Sequence, residues 1–595
     1  MVIINNNQYF KVSESSKMLL EKCKDGWLSL SPLREERARN VKFKNGDQWS
    51  DIVEDPNKKG YAIREDELLS REGKTPLKHN FIQQFIRNIS GQMLSSPSQS
   101  VVYTRDTSNK ELGEMLTNAL QACHHLNQGD RLNLSVMEEL LLSGIACVKV
   151  RYEFWHSKNV SDGVLENVNI NRLFFNNDIE DTRLFDIEMI GEVHDFTIDE
   201  VISNYASSPK QEEELRQIYR NTTSSNLLSY KKALKGASVQ NMDFLKANDD
   251  TKCRVIEVWE RRGRWVTITH DYKKGCELVE KSDRIVDLGN GTHTENRYEH
   301  YWQMTCLAPT GEVLASMETP YLHGEHPYVI TTLPLIDGTV HSFISDIIDI
   351  QKYINRLIVM IDFIMGASAK GVLMVPENAI PDGYSVDDFT NEYVKANGVI
   401  VYKPNHTRDV PFQISSNSTN VGAWEMLSLQ MNLIQQISGL SGAIQGERAK
   451  GYMPSSLYAQ EANNSQLNYR ILFDTIRLHQ QLRDEKLLKV LMQFYTTERY
   501  INVAGNGYSS TAIIYQPDKV ETISNFNLVV SQSTDTPVYK QIIEDSLKNM
   551  LDTKQIDLET YLTNSSFPFA NKLLSQLRQK QKEKAEEQQA TGDII

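Results

Sequence analysis

Residues 326–365 read HPYVITTLPLIDGTVHSFISDIIDIQKYINRLIVMIDFIM, a short β-branched run followed by a long helical pattern. Two stripes follow the helical part at spacings of three and four residues, which places each stripe on one helix face. The apolar stripe contains Ile347, Ile350, Ile354, Leu357 and Ile361, and the polar stripe contains Asp346, Asp349, Lys352 and Arg356. We therefore expect one helix from about His341 to Met365, roughly 37 Å long, with one packed face and one solvated face.

The segment after this helix predicts a small β-rich insertion between two helices. Candidate strands are GVLMVP (371–376) and GVIVYKP (398–404), and a second helix follows from about Trp424 to Ser438. Four glycines in GLSGAIQGERAKGYMP (439–454) disfavour a helix, because glycine loses the most backbone entropy on folding, so we expect a mobile loop. Residues 455–495 contain no glycine or proline and predict a helix of roughly 60 Å. The pattern is again helical after Pro537 and loses its apolar face after Leu577.

The N-terminal half combines helices with strands. Ser31 and Pro32 open a helix that should end near Gly46. Pro76 opens an amphipathic helix with one apolar face, formed by Phe81, Phe85, Ile89 and Met93. Further helices are predicted at 110–126 and 130–142, a strand at 147–154, and an antiparallel sheet over 253–332. In that sheet we expect VIEVWERRGRWVTITHD (255–271) to form two runs joined near Gly263, and the polar stretch 207–250 to be a flexible insertion.

The charge of the chain argues against a protein that binds DNA tightly through phosphates. The sequence has 64 lysine and arginine residues against 78 aspartate and glutamate residues, a formal net charge of −14. A tight phosphate contact needs cations that release counterions from the DNA, and an acidic surface opposes it. No run approaches about 18 apolar residues, so we expect no membrane span. The N-terminus lacks the pattern of an export signal, so we expect the protein to stay in the cytoplasm of the cell that makes it.

The sequence predicts no catalytic, cofactor-binding or metal-binding residues. REGKTPL (71–77) contains the GKT of a phosphate-binding loop, but the required first glycine is missing and Pro76 occupies the start of the expected helix. His323, Glu325 and His326 stand in a turn rather than in the helical HExxH pattern of a zinc site. The cysteines show neither zinc nor disulfide spacing, so we expect buried free thiols at Cys23, Cys123, Cys147, Cys253, Cys276 and Cys306.

The order of these elements, with three short motifs, carries a family resemblance. RNVKFKNGDQW (39–49) ends on Gly46, Gln48 and Trp49, and the stretch quoted first contains D-x-Q-x-x-x-N at Asp349, Gln351 and Asn355. The third motif is STDTPVYKQIIEDSLKNMLDTKQIDLETYL (533–562). Together they resemble the portal proteins of tailed bacteriophages, of the podovirus type or their crAss-like relatives.

The resemblance implies a mainly helical α+β portal fold that assembles as a ring, usually of twelve subunits. The expected parts are an N-terminal wing (1–340), a first stem helix (341–365), a clip (366–423), a second stem helix (424–438), a tunnel loop (439–454), a long helix with the rest of the wing (455–536), and a helical crown with a charged tail (537–595). The ring would lie at one vertex of the virion capsid and would be assembled in the cytoplasm of a bacterial host.

The resemblance also implies partners and site residues. The partners would be further copies of the chain, the terminase large subunit, the major capsid protein or scaffold, neck or adaptor proteins, and double-stranded DNA in the channel, with no membrane. The tunnel-loop residues would be Gly439, Gly442, Gly446, Arg448, Lys450 and Gly451, with Lys352 and Arg356 as candidates in the stem. Two other interpretations stay open: another ring-shaped head–tail connector, although those are generally smaller, and an enzyme with an unrecognised site.

Overall fold

The computed structural model describes the parts of the chain that carry most of the predicted elements. The described residues are 10–56, 58, 60–95, 98–104, 110–155, 159–176, 178–220, 243–247, 249, 251–271, 276–278, 292–333, 335–336, 339–370, 372–376, 380–381, 385–388, 390, 401–403, 412–414, 422–438, 469–502, 512–516, 526–532, 547–548, 550–551, 556–558 and 561–562.

The helices in these residues follow the chain in this order: α1 (Glu14–Ser29), α2 (Ser31–Lys44), α3 (Glu65–Arg71), α4 (Phe81–Ser95), α5 (Lys110–Leu126), α6 (Gly129–Ser143), α7 (Ile198–Tyr205), α8 (Pro209–Ile218), α9 (Ser345–Lys370), α10 (Ala423–Ser438) and α11 (Arg470–Phe494).

The strands are β1 (Ile52–Glu54), β2 (Ala62–Arg64), β3 (Ser98–Thr104), β4 (Ile145–Trp155), β5 (Val160–Asn167), β6 (Leu173–Phe175), β7 (Met189–Phe196), β8 (Cys253–Asp271), β9 (Cys276–Leu278), β10 (Thr292–Leu307), β11 (Val313–Glu318), β12 (Tyr328–Thr332), β13 (Leu335–Ile336), β14 (Thr339–Val340), β15 (Val372–Met374), β16 (Phe412–Ile414), β17 (Arg499–Asn502), β18 (Ala512–Tyr515) and β19 (Phe526–Gln532).

The larger of two compact units contains residues 1–38, 89–342 and 470–595. Its main sheet has the order β11-β10-β8-β7-β6, with β9 added to β8, and the strands are antiparallel. A three-stranded antiparallel sheet has the order β12-β4-β5. Helix α11 packs on β4 and β12 of this second sheet, because its buried face carries apolar residues such as Leu487, Leu488 and Leu491.

Helix α1 covers the main sheet of this unit. Leu19, Cys23 and Trp27 recur every four residues and therefore share one helix face. They form a buried apolar cluster with Phe174, Met189, Val193, Phe244, Ile256, Val258 and Leu307. Ser13 caps the helix through a reciprocal hydrogen-bond pair with Ser16. The sequence analysis did not predict α1, although this cap and the four-residue apolar spacing were the signals for it.

The second unit contains residues 39–88 and 343–469. Helix α9 packs along α10, and the hairpin β15–β16 lies between them in the chain. The apolar stripe predicted for the first helix is buried at Ile347, Ile354, Leu357 and Ile361. The rings of Phe85 and Phe343 stack in the same unit, with centroids 5.1 Å apart.

Several sequence expectations agree with the described elements. Helices α5, α6 and α10 and strand β4 lie within one or two residues of the predicted positions. The antiparallel sheet expected over 253–332 is present, and residues 309–311 (Pro-Thr-Gly) form the turn from β10 to β11, where Gly311 has a φ of +98° that favours glycine. Cys23, Cys123, Cys147, Cys253 and Cys306 are buried free thiols, as predicted.

Other expectations were wrong, each for a local reason. The helix predicted from Pro76 begins at Phe81, because the Asn80 side chain accepts the backbone N–H of Gln83 as an N-terminal cap. Gly263 does not join two runs but lies within the single long strand β8, where its missing side chain leaves room for the Tyr298 ring. In the stretch predicted as flexible, α8 is helical and Phe244 is buried.

In the β-rich insertion, the described partner of the first candidate strand is a segment that the sequence analysis did not select. The partner of Val372–Met374 is Phe412–Ile414, and residues 401–403 of GVIVYKP form no strand. Short runs of three residues offer many equivalent apolar partners, which is why the pattern did not select the correct one. Residues 439–468 lie outside the described residues, and they include the predicted tunnel loop. Most of residues 533–595, which include the predicted crown, also lie outside them.

Candidate functional site

Two of the sequence motifs meet in the smaller unit through a buried network of side-chain amides. Asn355 Nδ2 donates to Gln48 Oε1 at 2.6 Å, and Gln351 Nε2 donates to Asn355 Oδ1 at 3.1 Å. The exposed fractions of Gln48, Gln351 and Asn355 are 1%, 0% and 1%. Gln351 and Asn355 are four residues apart and therefore lie on one face of α9. The network joins Gln48 of the first motif to Gln351 and Asn355 of the second.

The same network holds the backbone that precedes α4. Gln351 donates from Nε2 to the carbonyl of His79 at 2.5 Å, and its Oε1 accepts the Phe81 N–H at 3.1 Å. Asn355 Oδ1 accepts the His79 N–H at 3.2 Å. Buried polar groups are costly unless they are hydrogen-bonded, so each of these pairs stabilises one arrangement of the unit.

The other residues of the first motif shape the turn after α2. Gly46 has a φ of +85°, and Lys78 Nζ donates to its carbonyl. Trp49 is 5% exposed, and its Nε1 donates to the carbonyl of Leu77 at 3.0 Å. Gly46, Gln48 and Trp49 therefore fix the path of the chain around α9, which gives this motif a packing role.

The two predicted stem cations form ion pairs within the smaller unit. Lys352 Nζ lies 2.5 Å from Asp51 Oδ2 and 4.0 Å from Glu65 Oε2. Arg356 donates to Glu65 Oε1 from Nη2 at 2.7 Å and from Nε at 3.2 Å. Burial of the Asp51 carboxyl opposes ionisation, but the hydrogen bond and charge of Lys352 outweigh it and lower the pKa of Asp51. Asp349 is exposed, with its carboxylate 4.0 Å from Arg39.

The larger unit contains a buried carboxylate that joins its two sheets. Glu257 of β8 accepts from Lys149 of β4 at 2.7 Å and from His194 of β7 at 3.1 Å. It also accepts from Trp259 Nε1 at 2.9 Å and Tyr328 Oη at 3.2 Å. Although burial opposes ionisation, the Lys149 charge holds the pKa of Glu257 well below its usual range. Complete hydrogen bonding of this kind is typical of a structural ion pair.

A second buried cluster lines a polar cavity of about 740 Å³ in the same unit. Asp484 of α11 pairs with Arg483 at 2.8 Å and with His124 at 2.9 Å, and it accepts from Ser100. The Arg483 and His124 charges keep the pKa of Asp484 far below its usual range in spite of burial. Within the described residues, no group of three or more His, Cys, Asp or Glu side chains has the geometry to hold a metal ion.

Comparison with known proteins identifies the family. The family model described as phage P22-like portal protein matches residues 20–593. The chain belongs to this family. Its members are the portal proteins, or head-to-tail connectors, of tailed phages, and the family is structural rather than enzymatic. None of the curated proteins matches the chain in a sequence comparison.

Membership confirms the resemblance on which the sequence analysis relied. The mainly helical α+β class of this portal protein is that of the family. The family implies an oligomeric ring at a capsid vertex of the virion, with capsid, terminase and neck proteins as partners. In the described part of this portal protein, no helix combines the length and apolar character that crossing a bilayer requires.

The structure separates the predicted site residues of this portal protein into three groups. Gln48, Gln351 and Asn355 come together, whereas Lys352 and Arg356 contact carboxylates beside them. Gly439, Gly442, Gly446, Arg448, Lys450 and Gly451 lie outside the described residues. Sequence reasoning missed Asp51 and Glu65 as partners of the stem cations. The signal was the acidic excess of residues 47–72, which carry eight acidic and four basic side chains.

Proposed function

We propose that the chain forms a closed ring of twelve subunits that serves as the DNA channel of one capsid vertex. The terminase motor packages the genome through this ring, the genome later leaves through it, and neck or adaptor proteins attach to it. The observation that carries the proposal is the family match over residues 20–593, nearly the whole chain. Assembly takes place in the cytoplasm of the bacterial host.

The described elements suit the parts that the family fold implies. We assign α9 and α10 to the stem, the segment between them with its β15–β16 hairpin to the clip, and residues 1–340 and 455–536 to the wing. The clip docks the terminase large subunit during packaging and the neck proteins afterwards. The wing meets the major capsid protein or scaffold, and the residues after Pro537 form the crown.

The acidic character of the chain supports passage of DNA rather than retention. A channel for a polyanion must not bind it tightly, and the net charge of −14 reduces counterion-releasing contacts. A few cations are enough for transient contact. We assign this contact to Arg448 and Lys450 in the tunnel loop, with Lys352 and Arg356 of the stem as further candidates.

The oligomeric state is the first test. We expect light scattering of the purified protein to give a mass near twelve times 68.1 kDa, and negative-stain images to show rings with a central hole. A compact dimer that stays dimeric with scaffold and capsid protein would contradict the proposal.

Packaging by loop variants is the second test. Arg448→Ala with Lys450→Ala should leave ring assembly intact and reduce the yield of DNA-filled heads when the variant complements a portal-null phage. The matched control is Lys22→Ala with Lys24→Ala, which changes the net charge equally at two exposed positions of α1. Normal yields of full heads from the loop variant would remove these residues from the channel contact.

A further inference from the structure

Residues 47–72 form an acidic segment beside the stem helix α9. The segment contains β1, β2 and α3, and its eight acidic and four basic residues give it a net charge of −4. The ladder of β1 and β2 pairs Ile52 with Arg64 and Glu54 with Ala62, so Asp51 and Glu65 stand at the same end of this hairpin. Both carboxylates therefore reach α9 together.

These two carboxylates engage the two cations that the polar stripe of α9 presents. Asp51 lies 2.5 Å from Lys352, and Glu65 accepts from Arg356 at 2.7 Å and lies 4.0 Å from Lys352. The Glu65 side chain is 8% exposed and that of Lys352 is 17% exposed, whereas Arg356 is 55% exposed. The lysine is therefore largely covered, and the guanidinium keeps an open side.

The Arg356 pair has one buried partner and one open partner. The Glu65 carboxylate is covered, whereas the Arg356 guanidinium faces solvent on one side and can meet an external charge. The pairing weakens the attraction of an approaching polyanion, because a cation that already has a carboxylate partner releases fewer counterions from DNA. The geometry therefore fits control of DNA contact in addition to a role in folding.

We propose that Asp51 and Glu65 act as an electrostatic shield that keeps Lys352 and Arg356 from holding DNA in the channel. The inference rests on the proposed function, because it requires the polar stripe of α9 to meet the DNA. The two carboxylates cancel the positive charge of Lys352 and Arg356, which would otherwise slow a moving duplex. The surface of the stem helix stays polar.

The test compares five forms of the full-length ring in binding a fluorescent 60-base-pair duplex at several salt concentrations. Asp51→Asn with Glu65→Gln removes the shield and should strengthen binding. The slope of log affinity against log salt should become steeper by about 1.8 for each subunit that contacts the duplex, because two more phosphates are neutralised per subunit. Between 50 and 200 mM salt, this variant should lose at least about ten-fold more affinity than the wild type, the value for one contacting subunit.

Two further variants show whether the effect passes through the stem cations. Lys352→Gln with Arg356→Gln should bind no more tightly than the wild type, because it removes both cations and leaves the carboxylates of Asp51 and Glu65 without compensation. The quadruple variant should return to the wild-type slope. Glu21→Gln with Asp25→Asn on α1 is the matched control, since it raises the net charge by the same amount at exposed positions.

The outcomes separate this inference from the proposed function. Light scattering and thermal melting on every sample show whether rings form and fold. Rings of Asp51→Asn with Glu65→Gln that bind DNA with the wild-type slope overturn the shield and leave the portal ring standing. An equal increase in the quadruple variant overturns it as well. Failure of the wild type to form rings contradicts the proposed function itself.

Discussion

Three amide side chains show how single residues fix the smaller unit. Gln48, Gln351 and Asn355 are buried, and Asn355 alone takes part in three hydrogen bonds, to Gln48, Gln351 and the backbone of His79. An amide supplies both donors and acceptors, so no apolar residue and no carboxylate replaces it without leaving a group unpaired. Asp349, in the same motif, is exposed and has no such role in packing.

Asn355→Ala should therefore destabilise the smaller unit. The change leaves Gln48 Oε1 and the His79 N–H without their partner, and each buried unpaired group costs about 1–3 kcal/mol. We expect the free energy of unfolding to fall by about 2–4 kcal/mol, measured by urea denaturation. Asp349→Ala is the control and should change it by less than about 0.5 kcal/mol. Equal effects of the two variants would show that the buried amide network does not contribute to the free energy of unfolding.

The buried side chain of His479 should make the stability of the protein depend on pH. Burial, together with the charge of the nearby Arg483, lowers the pKa of His479 to about 3. In the unfolded chain His479 takes up a proton near pH 6.5, whereas in the folded chain it stays neutral down to about pH 3. The free energy of unfolding therefore decreases as the pH falls from about 6.5 towards 3. The slope from this residue approaches about 1.4 kcal/mol per pH unit.

Comparison with His479→Gln isolates this contribution. The variant loses the 2.9 Å contact with Thr331 and should be less stable at pH 7, but its stability should fall less steeply between pH 6 and pH 4. Melting temperatures of both proteins across this range provide the measurement. Parallel plots of melting temperature against pH for the two proteins would mean that folding does not shift the pKa of His479.

At the scale of elements, close contacts decide where helices dock. Gly26 of α1 faces β6, and a Cβ there would overlap the carbonyl of Phe175. Gly91 of α4 has open space around its Cβ position. Both glycines are helical, so the pair separates the effect of docking from the effect of helix propensity.

Alanine at these two glycines should shift stability in opposite directions. Gly26→Ala should destabilise the larger unit by about 1–3 kcal/mol, because the added methyl group pushes α1 away from the sheet. Gly91→Ala should stabilise the protein by up to about 1 kcal/mol, because alanine favours the helix and meets nothing. Thermal unfolding of the two variants tests both signs, and a stabilised Gly26→Ala would show that α1 docks loosely.

Elements were predictable where periodicity is local and strong. The apolar stripe of α9 and the spacing of α5, α6 and α10 are visible in ten to twenty consecutive residues. The site was less predictable, because its contacts cross hundreds of positions: Gln48 meets Asn355, and Asp51 meets Lys352. Motif residues pointed to Gln48, Gln351 and Asn355, but only the fold shows that they touch each other. The same holds for β16, whose pairing depends on contacts outside its own three residues.

At the scale of the whole molecule, the exposed apolar surface of α9 and α10, the helices that we assign to the stem, suits a ring. Leu429 and Ile437 of α10 are 51% and 49% exposed, and Met360 and Phe363 of α9 are 50% and 48% exposed. Apolar surface of this kind marks protein contacts, and a ring requires a head-to-tail interface repeated around its axis. We therefore expect the same helices of neighbouring subunits to cover these side chains.

Leu429→Asp with Ile437→Asp should prevent ring closure without unfolding the chain. Each carboxylate would be buried in every copy of the interface, where an unpaired charge costs several kcal/mol. Asn432→Asp with Gln436→Asp adds the same charge to exposed polar positions of α10 and is the control. Light scattering should give monomers for the first variant and rings for the second, with unchanged circular dichroism for both. Rings of the first variant would mean that the neighbour contacts a different face of the stem, and the polar stripe with its shielded cations would then be the next surface to test.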